Sequence, residues 1–202
     1  MAYPYYKPIK KPTELCEIAF KYGTDKCPRI HHFYTPFYYD FFKDKRESMK
    51  KFLELGIGGR RVMKFTPQYV TGASLRMWRD FFPNAQIYGA DYTDRLLFED
   101  ERIKTYLCDS RKKEDLVNLI KQTGSDLDVF LDDGDHRMNS QLQLCLDMMP
   151  LLQKKVTYII EDVGFPMHLE KAIKPHYKCW FPDLKPEHRV QFDRLLVVTN
   201  YD

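Results

Sequence analysis

Apolar residues along the chain follow two rhythms. Between Thr13 and residue 49 they recur at helical spacing: Leu15, Ile18, Ala19 and Tyr22 share one face of a segment that Thr13 can cap and Gly23 can end. "YTPFYYDFFKDKRESM" predicts a second helix, aromatic on one side and charged towards its end. After residue 50 short apolar runs alternate with amphipathic stretches. "KFLEL", "QIYGAD", "IKTYLCD", "LDVFLDD" and "VTYIIED" read as strands. Ser74 to Phe82, "KKEDLVNLIKQTG" and "MNSQLQLCLDMMPLL" read as the helices between them, and "RLLVVTNY" as a late strand, antiparallel at or near an edge. This alternation predicts an α/β fold: a doubly wound, mostly parallel sheet with helices on both faces, preceded by N-terminal helices. The expected division is an extended lead-in and helices over residues 1–50, forming a lid or cap, and a ligand-binding core over 51–202, all in one structural domain.

Composition narrows the class. The 202 residues allow one domain with a substantial core, and 44% hydrophobic with 30% charged residues fits a folded chain. A net charge of +3 provides no concentrated basic footprint, which argues against a nucleic-acid partner. No apolar run approaches a membrane span, and "MAYPYYKPIKKP" lacks the apolar region of a secretory leader. Five scattered cysteines without a C-x-x-C argue against a disulfide framework or zinc site and for a reducing compartment. The expectation is a cytoplasmic protein with no membrane or nucleic-acid partner.

Chemistry collects where the predicted strands end, which is where ligands bind in such sheets. Glu54, Asp91, Asp109, the pair Asp132–Asp133 and the pair Glu161–Asp162 all fall there. "FLELGIGG" sets Gly56, Gly58 and Gly59 directly after the first strand, as a turn that lets backbone approach a ligand closely. The dinucleotide fingerprint is not met, because Arg61 stands where its third glycine belongs, and this counts against a nicotinamide enzyme. Asp91 can accept hydrogen bonds from both hydroxyls of a ribose, and Asp109 with Ser110 can meet an adenine edge. These positions describe a pocket for an adenosine-bearing cofactor without a pyrophosphate. Ser74 is expected to cap its helix and offer free amides to a cofactor carboxylate, with Arg76 assisting.

"ELGIGG", "YGADYTD", "CDSR" and "LDDGDH", in that order, resemble the successive motifs of class I S-adenosylmethionine-dependent methyltransferases. "KYGTDK" followed by "HHFYTPFYYDFF", then "GASLRMWRDFFPNAQIYGAD", is similar to one branch, the metal-dependent sugar O-methyltransferases of macrolide biosynthesis. Rhamnosyl O-methyltransferases and cephalosporin hydroxylase-like proteins are related to that branch. The resemblance covers roughly residues 13 to 165. It implies a Rossmann-like sheet, S-adenosyl-L-methionine as cofactor, Mg2+ or another divalent cation, and a sugar or glycan acceptor. A deoxyhexose such as rhamnose is the expected acceptor. The oligomeric state stays open, and a homo-oligomer is compatible with such relatives.

The resemblance also assigns residues. Tyr22, Thr24 or Lys26 would lie near the methionine end of the cofactor, with Glu54, Gly56, Gly58, Ser74, Asp91, Asp109, Ser110 and Asp132 along the rest of it. Asp133, Glu161 and Asp162 would hold the metal, with Asp132 as the rival to Asp133. His136 would be the general base, with Asp135 as its rival. Crowded carboxylates repel each other until a cation enters, which gives "LDDGDH" a reason to exist. Two other functions stay open: methylation of a catechol or other small phenol, and a methyltransferase domain excised from a larger glycan-processing protein. "GGRRVMKF" could attract an acidic substrate through Arg60, Arg61 and Lys64. His31 and His32 read as packing or hydrogen-bonding residues in a region that could also line the active site, and His168, His176 and His188 as structural.

Overall fold

Each apolar run after residue 50 forms a strand in the computed structural model, which describes residues 11–60, 63, 66–153, 155–184 and 193–201. In chain order the strands are β1 (Lys51–Leu55), β2 (Gln86–Asp91), β3 (Glu99–Asp100), β4 (Ile103–Leu107), β5 (Val129–Asp132), β6 (Thr157–Ile160), β7 (Lys178–Trp180) and β8 (Leu196–Thr199). They make one sheet in the order β3-β4-β2-β1-β5-β6-β8-β7. The five central strands, β4 to β6 in that order, are parallel. The late strand β8 is antiparallel to both neighbours, and it lies one place in from the edge, because the short β7 pairs outside it. The chain winds outward from β1 through β2 to β4, then crosses back to β5. Connections therefore leave β1 and β5 in opposite directions, and a crevice opens between their carboxyl ends.

Strand alternation splits the core into two layers. Phe52, Ile87, Ile103, Leu131, Ile159 and Val197 face one side; Leu53, Tyr88, Phe130, Tyr158, Ile160 and Val198 face the other. The first layer is covered by α1 (Glu14–Tyr22), α2 (Tyr34–Phe42) and α3 (Ala73–Phe81), the second by α4 (Lys113–Thr123), α5 (Met138–Met148) and α6 (Pro166–Ile173). Leu15, Ala19, Tyr34, Tyr38 and Phe42 from the first two helices share one buried cluster with Phe52 and Trp78. The centre of that cluster is aromatic. Phe52 packs 4.7 Å from Trp78, and Trp78 stacks on Phe82 at 5.9 Å between ring centroids.

Capping follows the sequence for α1. Thr13 Oγ1 accepts the Cys16 N–H at 3.3 Å, and Gly23 ends the helix at φ 78°, donating its N–H to the Ala19 and Phe20 carbonyls. It fails for α3. The helix begins one residue early, with Gly72 at φ 71° as the N-cap, so Ser74 sits inside the first turn and caps nothing. A Cβ at position 72 would lie 2.3 Å from the Phe98 ring, which leaves glycine as the residue that fits. Among the described residues no helix is long and apolar enough to cross a membrane. Truncating Phe52 to Ala, fully buried at the aromatic centre, is expected to cost about 3–5 kcal/mol in urea unfolding. A loss under about 1 kcal/mol would mean the ring is not part of the packed layer.

Candidate active site

The same alternation that builds the core aims the acidic residues. Phe52 and Glu54, Leu131 and Asp133, and Ile159 and Glu161 keep one parity along three adjacent strands and their tips. All three carboxylates therefore leave the sheet on the side of α1 and α2. Asp132 has the opposite parity. Its side chain turns to the far layer, one oxygen accepting the Gly134 N–H at 3.1 Å, and burial pushes its carboxyl up to about 7. It does not line the crevice. Asp132 thus points away from the crevice and is not part of the group that Asp133 forms there.

Lys26 meets the three converging carboxylates. Its Nζ lies 2.6 Å from Asp133 Oδ2 and 3.3 Å from Glu54 Oε1, and it bonds Glu161 Oε2. The residue is 1% exposed. Burial alone would lower its pKa, but the charges of Asp133, Glu161 and Glu54 outweigh burial and hold the ammonium well above its ordinary value. Burial pushes Glu54 up to about 7 against the pull of Lys26. Glu161 goes up for the same reason, with Asp133 and Glu54 adding repulsion. Asp133 goes down: burial opposes ionisation there, yet Lys26 and His136 together prevail. Lys26, expected at the cofactor's methionine end, lines the crevice, and its ammonium is engaged by this knot of carboxylates. Glu54 lies beneath the crevice, with Oε2 accepting the Trp78 Nε1–H at 2.9 Å, and does not line it.

Outward from Lys26, ligating atoms of Asp133, His136 and Asp162 lie within 4.8 Å of one another. His136 Nε2 is 3.1 Å from Asp133 Oδ1, and its Nδ1 is 3.4 Å from Asp162 Oδ2. Burial disfavours the imidazolium, but Asp133 and Asp162 overcome it and push His136 up to about 9. His136 and Asp162 both have left-handed backbones, at φ 58° and 53°, a costly conformation for residues with a Cβ. Tyr34 holds Asp162 in place, donating to Oδ1 at 2.5 Å while accepting the Asp162 N–H at 3.2 Å. Glu161 has both oxygens taken, Oε2 by Lys26 and Oε1 by the Tyr38 hydroxyl at 2.6 Å. Asp135 accepts from the Arg137 N–H at 3.0 Å and the Ser140 hydroxyl at 2.8 Å, so it shapes the start of α5.

The crevice as a whole is a cavity of about 490 Å³, and its remaining length runs along the tips of β1, β2 and β4. Gly56 turns at φ 101°, and a Cβ there would lie 1.9 Å from the Asp133 carbonyl oxygen, so the β1 and β5 tips can close on each other only through glycine. Asp91 fixes this turn, Oδ2 accepting the Ile57 N–H at 3.1 Å and Oδ1 the Thr93 N–H at 3.0 Å. Gly58, Thr24 and Ser74 also line the cavity. Asp109 and Ser110 line it from β4, with Arg111 forking onto both Asp109 oxygens at 2.8 and 2.9 Å and holding that carboxyl below its usual range.

Comparison with known proteins places this architecture. No protein-family model matches the sequence. Mycinamicin VI 2''-O-methyltransferase of Micromonospora griseorubida is 35% identical over 155 residues, 76% of this chain and 37% of that protein. Demethylmacrocin O-methyltransferase of Streptomyces fradiae is 34% identical over 151 residues, 74% of this chain and 36% of the relative. The chain thus spans little more than a third of these relatives' length. The MycE methyltransferase of mycinamycin biosynthesis, solved with Mg, SAH and mycinamycin VI, shares 25% identity and a TM-score of 0.71 over 94% of this chain and 55% of that one. The chain has the class I methyltransferase fold. Its relatives are the sugar O-methyltransferases that the motifs resemble.

Several expected positions lie elsewhere in this methyltransferase fold. Tyr22 is not at the cavity: its hydroxyl donates to Asp80 at 2.6 Å, because its helical face packs on α3. Arg76 pairs with Asp100 and the Thr71 carbonyl, too far round α3 to assist a carboxylate at Ser74. Arg60 donates to the carbonyls of Thr66, Pro67 and Tyr69 and closes its own loop; Arg61 and Lys64, like His188, lie outside the described residues.

Tyr34 and Tyr38 carry no motif that marks them as site residues, although their i, i+4 spacing puts both hydroxyls on one side of α2. His32, in the region expected to be able to line the active site, is part of the same wall. His32 Nδ1 lies 2.6 Å from Asp193, its ring stacks on Tyr34 at 4.8 Å, and it lines the crevice. Burial works against its charge, but the Asp193 hydrogen bond and the Asp162 charge carry His32 from 6.5 up to about 9. A folded-state pKa raised in this way adds stability that is complete below about 6.5 and lost as pH rises through about 9. His32→Gln should therefore cost on the order of 1–3 kcal/mol in urea unfolding at pH 6, and much less at pH 9.5. An equal cost at both pH values would show that the ion pair does not form.

Proposed function

We propose that this chain is the methyl-transferring part of an S-adenosylmethionine- and divalent-cation-dependent O-methyltransferase. Its acceptor is a sugar hydroxyl, on a deoxyhexose such as rhamnose in a glycan or glycosylated metabolite. The observation that carries the reading is the triangle of Asp133, His136 and Asp162 at one end of a crevice whose other end is the Gly56 turn and Asp91. The relatives' names, which specify O-methylation of glycosylated antibiotics, agree with it.

The residues fit both an ion and the cofactor. Asp133 and Asp162 offer the hard oxygen donors that a divalent ion requires, on a face that opens to the cavity. Gly56 and Gly58 leave backbone open to a ligand, and Asp91 lies where a ribose would meet a carboxylate with acceptor capacity to spare. When bound, the ion supplies Lewis acidity towards the hydroxyl, and the sulfonium supplies the methyl group.

Everything else falls to the chain. Asp162, held by Tyr34, and Asp133, held by Lys26, fix the acceptor end of the site. His136, with its side chain 42% exposed at the mouth, can reach an incoming hydroxyl and take its proton at a ring nitrogen. It must be neutral to do so. The carboxylates that make it an imidazolium are those expected to hold the ion, so drawing their charge away returns His136 to a base. Asp135 also lines the crevice but is engaged by Ser140 and the Arg137 N–H, which favours His136 as the base.

Purified protein given S-adenosylmethionine, Mg2+ and a rhamnoside is expected to yield the methyl ether, with EDTA stopping turnover and added Mg2+ restoring it. His136→Ala should lower kcat by about 10²–10⁴-fold while the dissociation constant for S-adenosylhomocysteine stays within about threefold. Full turnover in EDTA would remove the ion from the mechanism, and preference for a phenol over every glycoside would move the acceptor class.

A further inference from the structure

Lys26 is an unusual neighbour for an ion site. It is a buried ammonium that shares Asp133 with the triangle, facing Oδ2 from behind while His136 faces Oδ1 from the mouth. Nor is it free to leave. Its carbonyl accepts the Tyr34 and Thr35 N–H groups at 3.2 and 3.1 Å, which pins it to the start of α2. Just before it, the left-handed Gly23 turn is wedged so closely that a Cβ would lie 2.7 Å from the Tyr69 nitrogen. The ammonium is a fixed charge built into the wall.

We propose that Lys26 is a positioning residue that sets the strength of the divalent-cation site, satisfying part of the charge on Asp133 so that the ion is held loosely and exchanges. The inference rests on the ion site proposed at Asp133 and Asp162. Two cations leaning on one carboxylate oppose each other, and ion affinity in oxygen-ligand sites follows the net charge of the ligand set. Lys26 also lets the carboxylates of Glu54, Asp133 and Glu161 stay buried together before an ion arrives, so the fold does not depend on the ion for its integrity.

A merely structural lysine and a charge-setting one predict opposite signs. If Lys26 only braces the wall, replacing it loosens Asp133 and weakens ion binding. If it sets charge, replacing it with a neutral side chain tightens binding. Mn2+ alone serves as the probe, titrated by calorimetry into the full chain. Lys26→Met is expected to bind Mn2+ about tenfold more tightly than wild type, and Lys26→Arg to stay within about threefold of it. In EDTA, Lys26→Met should melt below wild type, and saturating Mn2+ should raise its melting temperature by more than it raises that of wild type. Should Lys26→Met fail to fold, Lys26→Met/Glu54→Gln, which removes one charge of each sign, is compared with Glu54→Gln alone and should show the same tightening. Unchanged or weaker Mn2+ binding, with wild type still binding, overturns the role of Lys26 and leaves the ion site standing. No Mn2+ binding by wild type overturns both.

Discussion

Burying carboxylates costs several kcal/mol each unless positive charge is buried with them, and the ammonium of Lys26 is the charge that Glu54, Asp133 and Glu161 share. Lys26 lies 26 residues into the chain, yet its partners lie on β1 and just beyond β5 and β6. No local preference brings them together. The pairing is what makes residues 24–42 a wall of the crevice: with Lys26 seated, Tyr38 reaches Glu161, Tyr34 reaches Asp162, and His32 stacks on Tyr34. Take the ammonium away and those helices still have an aromatic face to bury and hydroxyls to bond the strand tips, but the carboxylates they meet lose the positive charge buried with them.

A division of labour follows from strand parity. Residues that keep the alternation of β1, β5 and β6 deliver charge to Lys26, inside the wall. The residues that face the cavity mouth have broken with it: His136 and Asp162 reach their positions through left-handed backbones. Such conformations cost of order 1–3 kcal/mol each and persist only where surrounding contacts hold them. Those contacts are visible. Tyr34 grips both the backbone and the side chain of Asp162, and Asp133 meets His136 from three residues away. Strain is placed where chemistry is expected, and regular strand geometry where support is needed.

How much of this could be read from the chain depended on range. Apolar rhythm reveals the five parallel strands because burial on both faces writes itself into short continuous runs. It misses β3 and β7, which have two and three residues and mostly exposed side chains. The helix Pro166–Ile173 goes unread because its apolar positions follow a loop with no clear cap. Strand alternation separates Asp132 from Asp133, but which layer each one joins shows only in the fold. Leu131 belongs to the Phe52 layer, so Asp133 must leave the sheet on that side and Asp132 on the other. The partners of Lys26 and His32 were not legible. Asp133 lies 107 residues from Lys26 and Asp193 161 residues from His32, separations that no spacing rule crosses.

The charge of His136 ties the two halves of the site into one device. A histidine raised to about 9 carries its proton at neutral pH and is the wrong species to act as a base. Were its environment permanent, the assignment made from sequence would fail on electrostatic grounds alone. But the elevation comes from Asp133 and Asp162, and these are the carboxylates with oxygens to offer at the cavity. Any cation they engage competes with the imidazolium for the same two charges, and the imidazole is the partner able to become neutral. Base strength at His136 is thereby conditional on the state of its neighbours rather than fixed by its own burial. Lys26 belongs to the same balance from the other side, since it claims a share of Asp133 that neither the imidazolium nor an ion can take.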